Sequence, residues 1–213
     1  MKPIVGITMG DPSGNGPELS VKVLLKPETY DKCRPLIVGD AAALQSAIAV
    51  IPEAQGMTVH PVCSVSDAVF TPGVIDVFQV PGLDLTKRHF KKDRRALEQE
   101  LGEAQARTAY LESQKMCGEC AFRYIVKVIE LAMAGEIQAT VTNALNKDYI
   151  NLAGHHYSGH TEIYADYTHT KKYSMMLAHE ALRVVHVSTH VSLREACDRV
   201  RKDRVLEVIR IAD

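Results

Sequence analysis

No apolar run in this chain approaches the ~18 residues of a membrane span, neither charge is in excess, and no second cysteine pair accompanies Cys117-Gly-Glu-Cys120. The first absence excludes a transmembrane helix. The opening Met1-Lys-Pro-Ile-Val-Gly is too short, and too soon broken by glycine, for a signal peptide, so a cytoplasmic protein is expected. The second absence, 25 basic against 26 acidic residues, leaves no electrostatic footprint for nucleic acid or an anionic membrane and favours small-molecule chemistry. The third bears on redox state: five cysteines, an odd number, fit reduced thiols better than a disulfide framework. Cys117 and Cys120 lie in a stretch that reads as helix, so they are expected as two cysteines on one helical face rather than a zinc or redox pair.

What is present is an alternation of short apolar strands with helical patterns, the mark of an α/β fold with a mostly parallel sheet. Strands are predicted at Ile4–Thr8, Pro35–Val38, Val74–Gln79 and Gln138–Thr142. Helices are predicted from Pro17 to Leu25, from Ala41 to Ala49 behind Asp40 as N-cap, and from Lys147 to Leu152 behind Asn146, with Gly154 as the stop. Thr86 to Lys115 is charged and poor in large apolar residues, and reads as a solvated helical connector. It is followed by an amphipathic helix, Cys120–Ala134. After Thr161–Tyr167, a further helix, come a strand Ser174–Ala178, a turn at Glu180 and the strongest strand signal, Leu182–Ser188. Ser192-Leu-Arg-Glu195 is a capping box, and Val205–Asp213 has helical spacing. At 213 residues one large domain or two lobes are possible.

Seven of nine histidines fall between His155 and His190. A metal site needs three or four convergent ligands, and neither an HExxH motif nor a carboxylate pair at matching spacing is present. His190 follows a predicted buried strand and precedes a capped helix, a position that projects a side chain into the crevice above a sheet. His186 reads as a core histidine, His155 and His156 as ordinary loop residues, and His169 and His179 as solvated turn residues. His160 and Thr161 open a helix after a glycine, where side chains and free amides can converge on an anionic or hydroxylated group. Met9 to Glu18 joins the first strand to the first helix with three glycines, and reads either as a ligand loop or as a tight turn. It is neither a dinucleotide GxGxxG nor a Walker loop. Lys147, beyond the carboxyl end of a strand, is either a cation for a phosphate or carboxylate, a proton donor if desolvated, or a solvated lysine in a first helical turn.

Together, Ile7-Thr-Met-Gly-Asp-Pro-Ser-Gly-Asn-Gly-Pro-Glu18, Thr142 to Lys147, Ala153-Gly154 with Ser158-Gly-His-Thr-Glu162, and Val187-Ser-Thr-His190 with Leu193-Arg194 resemble the 4-hydroxythreonine-4-phosphate dehydrogenase family. His186–His190 and Val208–Asp213 are more similar to the branch that oxidises 4-phospho-D-threonate or 4-phospho-D-erythronate. The resemblance implies the two-lobed α/β/α fold of isopropylmalate and isocitrate dehydrogenases, a homodimer, and dependence on NAD and a divalent metal (Zn, Mg, Mn or Co). It implies oxidation of a secondary hydroxyl β to a carboxylate, followed by decarboxylation, with the metal as Lewis acid. His160 and Thr161 match the family's substrate-binding pair, His190 matches the first of its metal-binding histidines, and Lys147 is the candidate catalytic residue. No residue is assigned to the cofactor.

The lobes are expected at residues 1–105 and 106–213, the second incomplete. The family's remaining metal histidines and the rest of its substrate site belong to a C-terminal part without counterpart here, so no dehydrogenase activity is expected of this chain alone. A non-catalytic remnant that binds a phosphorylated ligand, or pairs with a longer subunit, is the alternative. Within the resemblance, Asn143-Ala144 stands where the family has a small residue and proline, Asn15 replaces isoleucine, and Ser158 replaces proline.

Overall fold

Five parallel strands carry the first part of the chain in a computed structural model that describes residues 2–80, 85 and 93–213. They are β1 (Ile4–Thr8), β2 (Arg34–Gly39), β3 (Thr58–Val62), β4 (Val74–Gln79) and β5 (Ala139–Thr142), in the spatial order β3-β4-β2-β1-β5. β1 and β2 are almost wholly buried, which is why they read as near-continuous apolar runs. β3 is not among the expected strands. Its sequence, Thr-Val-His-Pro-Val, lies on an edge and is largely open to solvent, where a proline is tolerated and apolar alternation is not required.

Helices α1 (Gly16–Leu24), α2 (Pro27–Lys32) and α3 (Ala41–Val50) connect the first strands. Asp40 caps α3 as expected, with Oδ1 accepting from the Ala43 amide at 3.0 Å and Oδ2 from Gln79 Nε2 at 2.9 Å. After α4 (Arg94–Leu101), α5 runs unbroken from Glu103 to Met133. The expected connector and the expected helix at Cys120 are therefore largely one element; residues 86–92 of that connector lie outside the described residues. The first part of α5 is mostly exposed and its second part is buried against β1, β2 and β5. Cys117 and Cys120 are buried within it, where desolvation pushes their thiols up to about 11 and about 12.

β1→β2 and β4→β5 travel in opposite directions along the sheet. Right-handed crossovers then put α1 and α3 on one face and α5 on the other. Contacts of α1 with α3, and of α5 with the strands, agree. Helices α6 (Lys147–Leu152) and α7 (His160–Tyr167) pack on α5 through a second apolar cluster of Phe122, Ile125, Ile129, Ile150 and Ile163.

Packing divides the chain into a compact unit ending at Tyr164 and a second from Ala165 to Asp213; residue 105, the expected end of the first lobe, lies inside the former. The second unit holds an antiparallel pair, β6 (Met176–His179) and β7 (Leu182–Val185), with α8 (Leu193–Arg199) and α9 (Lys202–Ala212). Ser192 caps α8 as expected. The long buried strand expected at Leu182–Ser188 is corrected: β7 ends at Val185, is mostly exposed, and belongs to this separate hairpin rather than to the parallel sheet. Its β-branched run signals strand, but burial depends on a partner, which periodicity does not specify. No helix among the described residues is long and apolar enough to cross a membrane.

Candidate active site

The chain leaves β1 for α1 on one face and β5 for α6 on the other, so the ends of these neighbouring strands form the topological switch point at which open α/β sheets bind ligands. Two loops meet there. Asp11 N donates to Ala144 O at 3.0 Å. Gly10 has φ +74°, and a Cβ on it would come within 2.4 Å of the same carbonyl; a Cβ on Gly16 would lie 1.9 Å from Met9 O. Gly10 and Gly16 thus admit protein backbone, as a tight turn requires. Asp11, buried, accepts from Ser13 N at 2.8 Å and Ser13 Oγ at 2.7 Å, closing the turn that Gly-Asp-Pro-Ser encodes.

From the other side, Asn143 Nδ2 donates to Gly16 O at 3.3 Å and to Ser20 Oγ at 2.9 Å. Asn146 caps α6, its Oδ1 accepting from the amides of Asp148 and Tyr149 at 3.0 and 3.2 Å. Lys147 is therefore the first residue of α6, and it is exposed. The helix is held down where Gly118 of α5 admits the Tyr149 carbonyl, a place where a Cβ would lie 2.0 Å from that oxygen.

His160 opens α7, half-buried, with Ile163 beneath it in the second apolar cluster. Desolvation lowers its pKa, and a hydrogen bond with the Asn143 backbone partly opposes this. The imidazole is consequently neutral at physiological pH. Its Nε2 is buried without a hydrogen-bond partner among the described residues. A neutral ring with an unsatisfied nitrogen is equipped to bond a ligand hydroxyl or acid proton. Thr161, next on the helix, is exposed. The loop into α7 is braced by His155, whose Nε2 meets Glu119 Oε2 at 2.7 Å and whose ring stacks on Phe122 at 3.6 Å. His155 is thus anchored, not the ordinary loop residue expected; His156 is exposed.

His190 lies in the second unit. Five residues beyond β7, exposed and at φ +57°, it does not stand at the end of a sheet strand, so the strand-end argument for it fails. His186 is half-buried rather than core, while His169 and His179 are exposed. Among the described residues no three His, Cys, Asp or Glu side chains converge on a point that could hold a metal. Among the described residues, then, His190 is a lone exposed imidazole, which does not by itself retain a divalent ion.

The loops of β1 and β5 and His160 are thus joined in the first unit, with Lys147 at the end of the same β5–α6 loop. Asn143, Ser20, Asp11 and the Glu119–His155 pair were not singled out as site residues from sequence; only the Gly-Asp-Pro-Ser turn carries a local signal for one of them. The family described as "Pyridoxal phosphate biosynthetic protein PdxA" matches residues 31–213. The chain belongs to the PdxA family. This PdxA-family chain is 37% identical over 215 residues to the D-threonate 4-phosphate dehydrogenase of Pectobacterium atrosepticum, covering 100% of this chain and 59% of that protein. Clostridium botulinum relatives are 36% identical over 98% of this chain and 56% of theirs. The chain therefore spans little more than half the length of the curated relatives it matches. Among solved structures it is similar to a 4-hydroxythreonine-4-phosphate dehydrogenase from Burkholderia phymatum, with a TM-score of 0.79 and 32% identity over 99% of this chain and 57% of that one. The Klebsiella pneumoniae enzyme of the same name matches with a TM-score of 0.79 and 32% identity, over 100% and 58%.

Proposed function

We propose that this chain carries the substrate-holding part of an NAD-dependent dehydrogenase for a phosphorylated four-carbon hydroxy acid: 4-phospho-D-threonate, 4-phospho-D-erythronate or 4-phosphohydroxy-L-threonine. One observation carries the proposal: the neutral His160 ring, held at the switch-point loops, has a buried nitrogen left over for a ligand. In this reading His160 and the Thr161 hydroxyl bind the substrate's polar groups. The Lys147 ammonium, exposed at the head of α6, faces a phosphate or carboxylate as a point charge and is the candidate proton donor. Oxidation followed by decarboxylation, a cytoplasmic homodimer and a place in carbohydrate metabolism complete the proposal. His190 would supply one ligand to a divalent metal; the other ligands, and the residues for NAD, are not assigned to this chain.

We expect binding without turnover from the 213-residue chain. The second reading is a non-catalytic phospho-ligand-binding remnant or subunit partner. Calorimetry with D-threonate 4-phosphate on the chain and on His160→Gln and Thr161→Val tests the binding role. Saturable binding, lost in His160→Gln, is expected. Absence of binding for the phosphorylated threonate, erythronate and hydroxythreonine alike refutes the assignment. Appearance of reduced nicotinamide with added divalent metal would instead make the chain a complete enzyme and overturn the remnant reading.

A further inference from the structure

We infer that His60 is a nucleophilic modification site, where the buried carboxylate of Asp76 turns the Nε2 lone pair outward to activated acyl groups. His60 on β3 stands directly opposite Asp76 on β4, and parallel partners in register share a face of the sheet. Asp76 Oδ1 lies 2.8 Å from His60 Nδ1 and 3.2 Å from Val69 N, and Oδ2 lies 2.7 Å from Phe70 N. A carboxylate offers acceptors only, so all three nitrogens donate to it. Nδ1 therefore carries the proton of the neutral ring, and the lone pair belongs to Nε2.

The two side chains differ sharply in access: that of Asp76 is 1% exposed and that of His60 40%. β3 is an edge strand, and Nε2 is open to solvent and bonded by no described residue. In a hydrolytic triad such a carboxylate–imidazole pair activates a hydroxyl at Nε2; with no described hydroxyl bonded there, the ring nitrogen is itself the nucleophile. Its lone pair forms a bond to the acyl carbon, and the bond from that carbon to the leaving group breaks with its electron pair. The positive charge left on the ring is stabilised beside Asp76 until the Nδ1 proton passes through solvent to the leaving group. This edge of the sheet is the one opposite β5, so the inference is independent of the role given to His160.

The test is diethyl pyrocarbonate, whose leaving ethyl carbonate takes up the proton and yields ethanol and carbon dioxide. Peptide mass spectrometry follows each histidine at a pH well above the ordinary histidine value of about 6.5. His156, His169, His179 and His190 are all exposed, so a faster reaction at the half-buried His60 does not come from access. His60 should lead them by about fivefold, the factor that about 1 kcal/mol from a partly exposed charge pair supplies. Asp76→Asn, which removes the charge, should abolish the lead. Where that variant does not fold, ¹⁵N NMR of the parent ring, assigned by loss of its signals in His60→Gln, decides: a proton on Nδ1 together with the lead supports the inference. No lead in the parent chain, an undiminished lead in a folded Asp76→Asn, or a ring proton on Nε2 overturns it.

Discussion

Glu119 on α5 holds His155, 36 residues later, through a 2.7 Å contact between Oε2 and Nε2, and Phe122 one turn along α5 lies flat beneath the same imidazole at 3.6 Å. The loop that delivers His160 is thus fastened to the longest helix of the chain. The contact is partly solvated, so Glu119→Gln should cost no more than about 1 kcal/mol. Phe122 also fills the second apolar cluster, and Phe122→Ala should cost about 3–5 kcal/mol. Urea unfolding of the two variants checks the order.

Gly118→Ala sets a methyl against the Tyr149 carbonyl, and backbone on both sides leaves nothing flexible to give way. Glycine inside a helix ordinarily gains about 1 kcal/mol on replacement by alanine. Here the sign reverses: a loss of roughly 1–3 kcal/mol is expected from overpacking. Thermal unfolding that shows stabilisation would mean that α6 does not rest on α5 at this point.

Burial lowers the His160 pKa below its ordinary 6.5 in the folded chain. The unfolded chain therefore binds more protons in the window from 6.5 down through the lowered folded value, and folding stability falls as pH drops through it. Above 6.5 this group contributes no slope. Denaturant midpoints measured from pH 7.5 to 5 should decline less steeply in His160→Gln than in the parent chain. Equal slopes would exclude a desolvated imidazole at this position.

His190 occupies the left-handed region at φ +57° and is exposed. Side chains other than glycine are strained there by about 1 kcal/mol. His190→Gly is expected to leave stability unchanged or to raise it by up to that amount, as read from the unfolding midpoint. A clear loss of stability would reveal contacts that the exposed position does not offer.

Local chemistry made much of the fold legible. Asp40, Asn146 and Ser192 cap the helices that their side chains announce, and β1, β2, β4 and β5 fall where short apolar runs end in turn residues. Features that depend on distant partners were not legible. β3 is an edge strand carrying Pro61, and among the described residues β7 pairs with β6 alone, so its apolar run says nothing of burial. His155 and Glu119 are far apart in sequence, and Asn143 and its acceptors farther still. His160 and Thr161 were singled out at a helix start by position. Their proposed roles came from resemblance, and spacing alone would have left them as two polar residues after a glycine.

In the stretch from Ala165 to Asp213 a single side chain, that of Val208, is buried. An isolated two-stranded hairpin is marginal in water, and hydrogen bonds without an apolar cover open readily. Amide protons of β6 and β7 should therefore exchange with solvent deuterium orders of magnitude faster than those of β1 and β2, giving this one polypeptide two separate clocks.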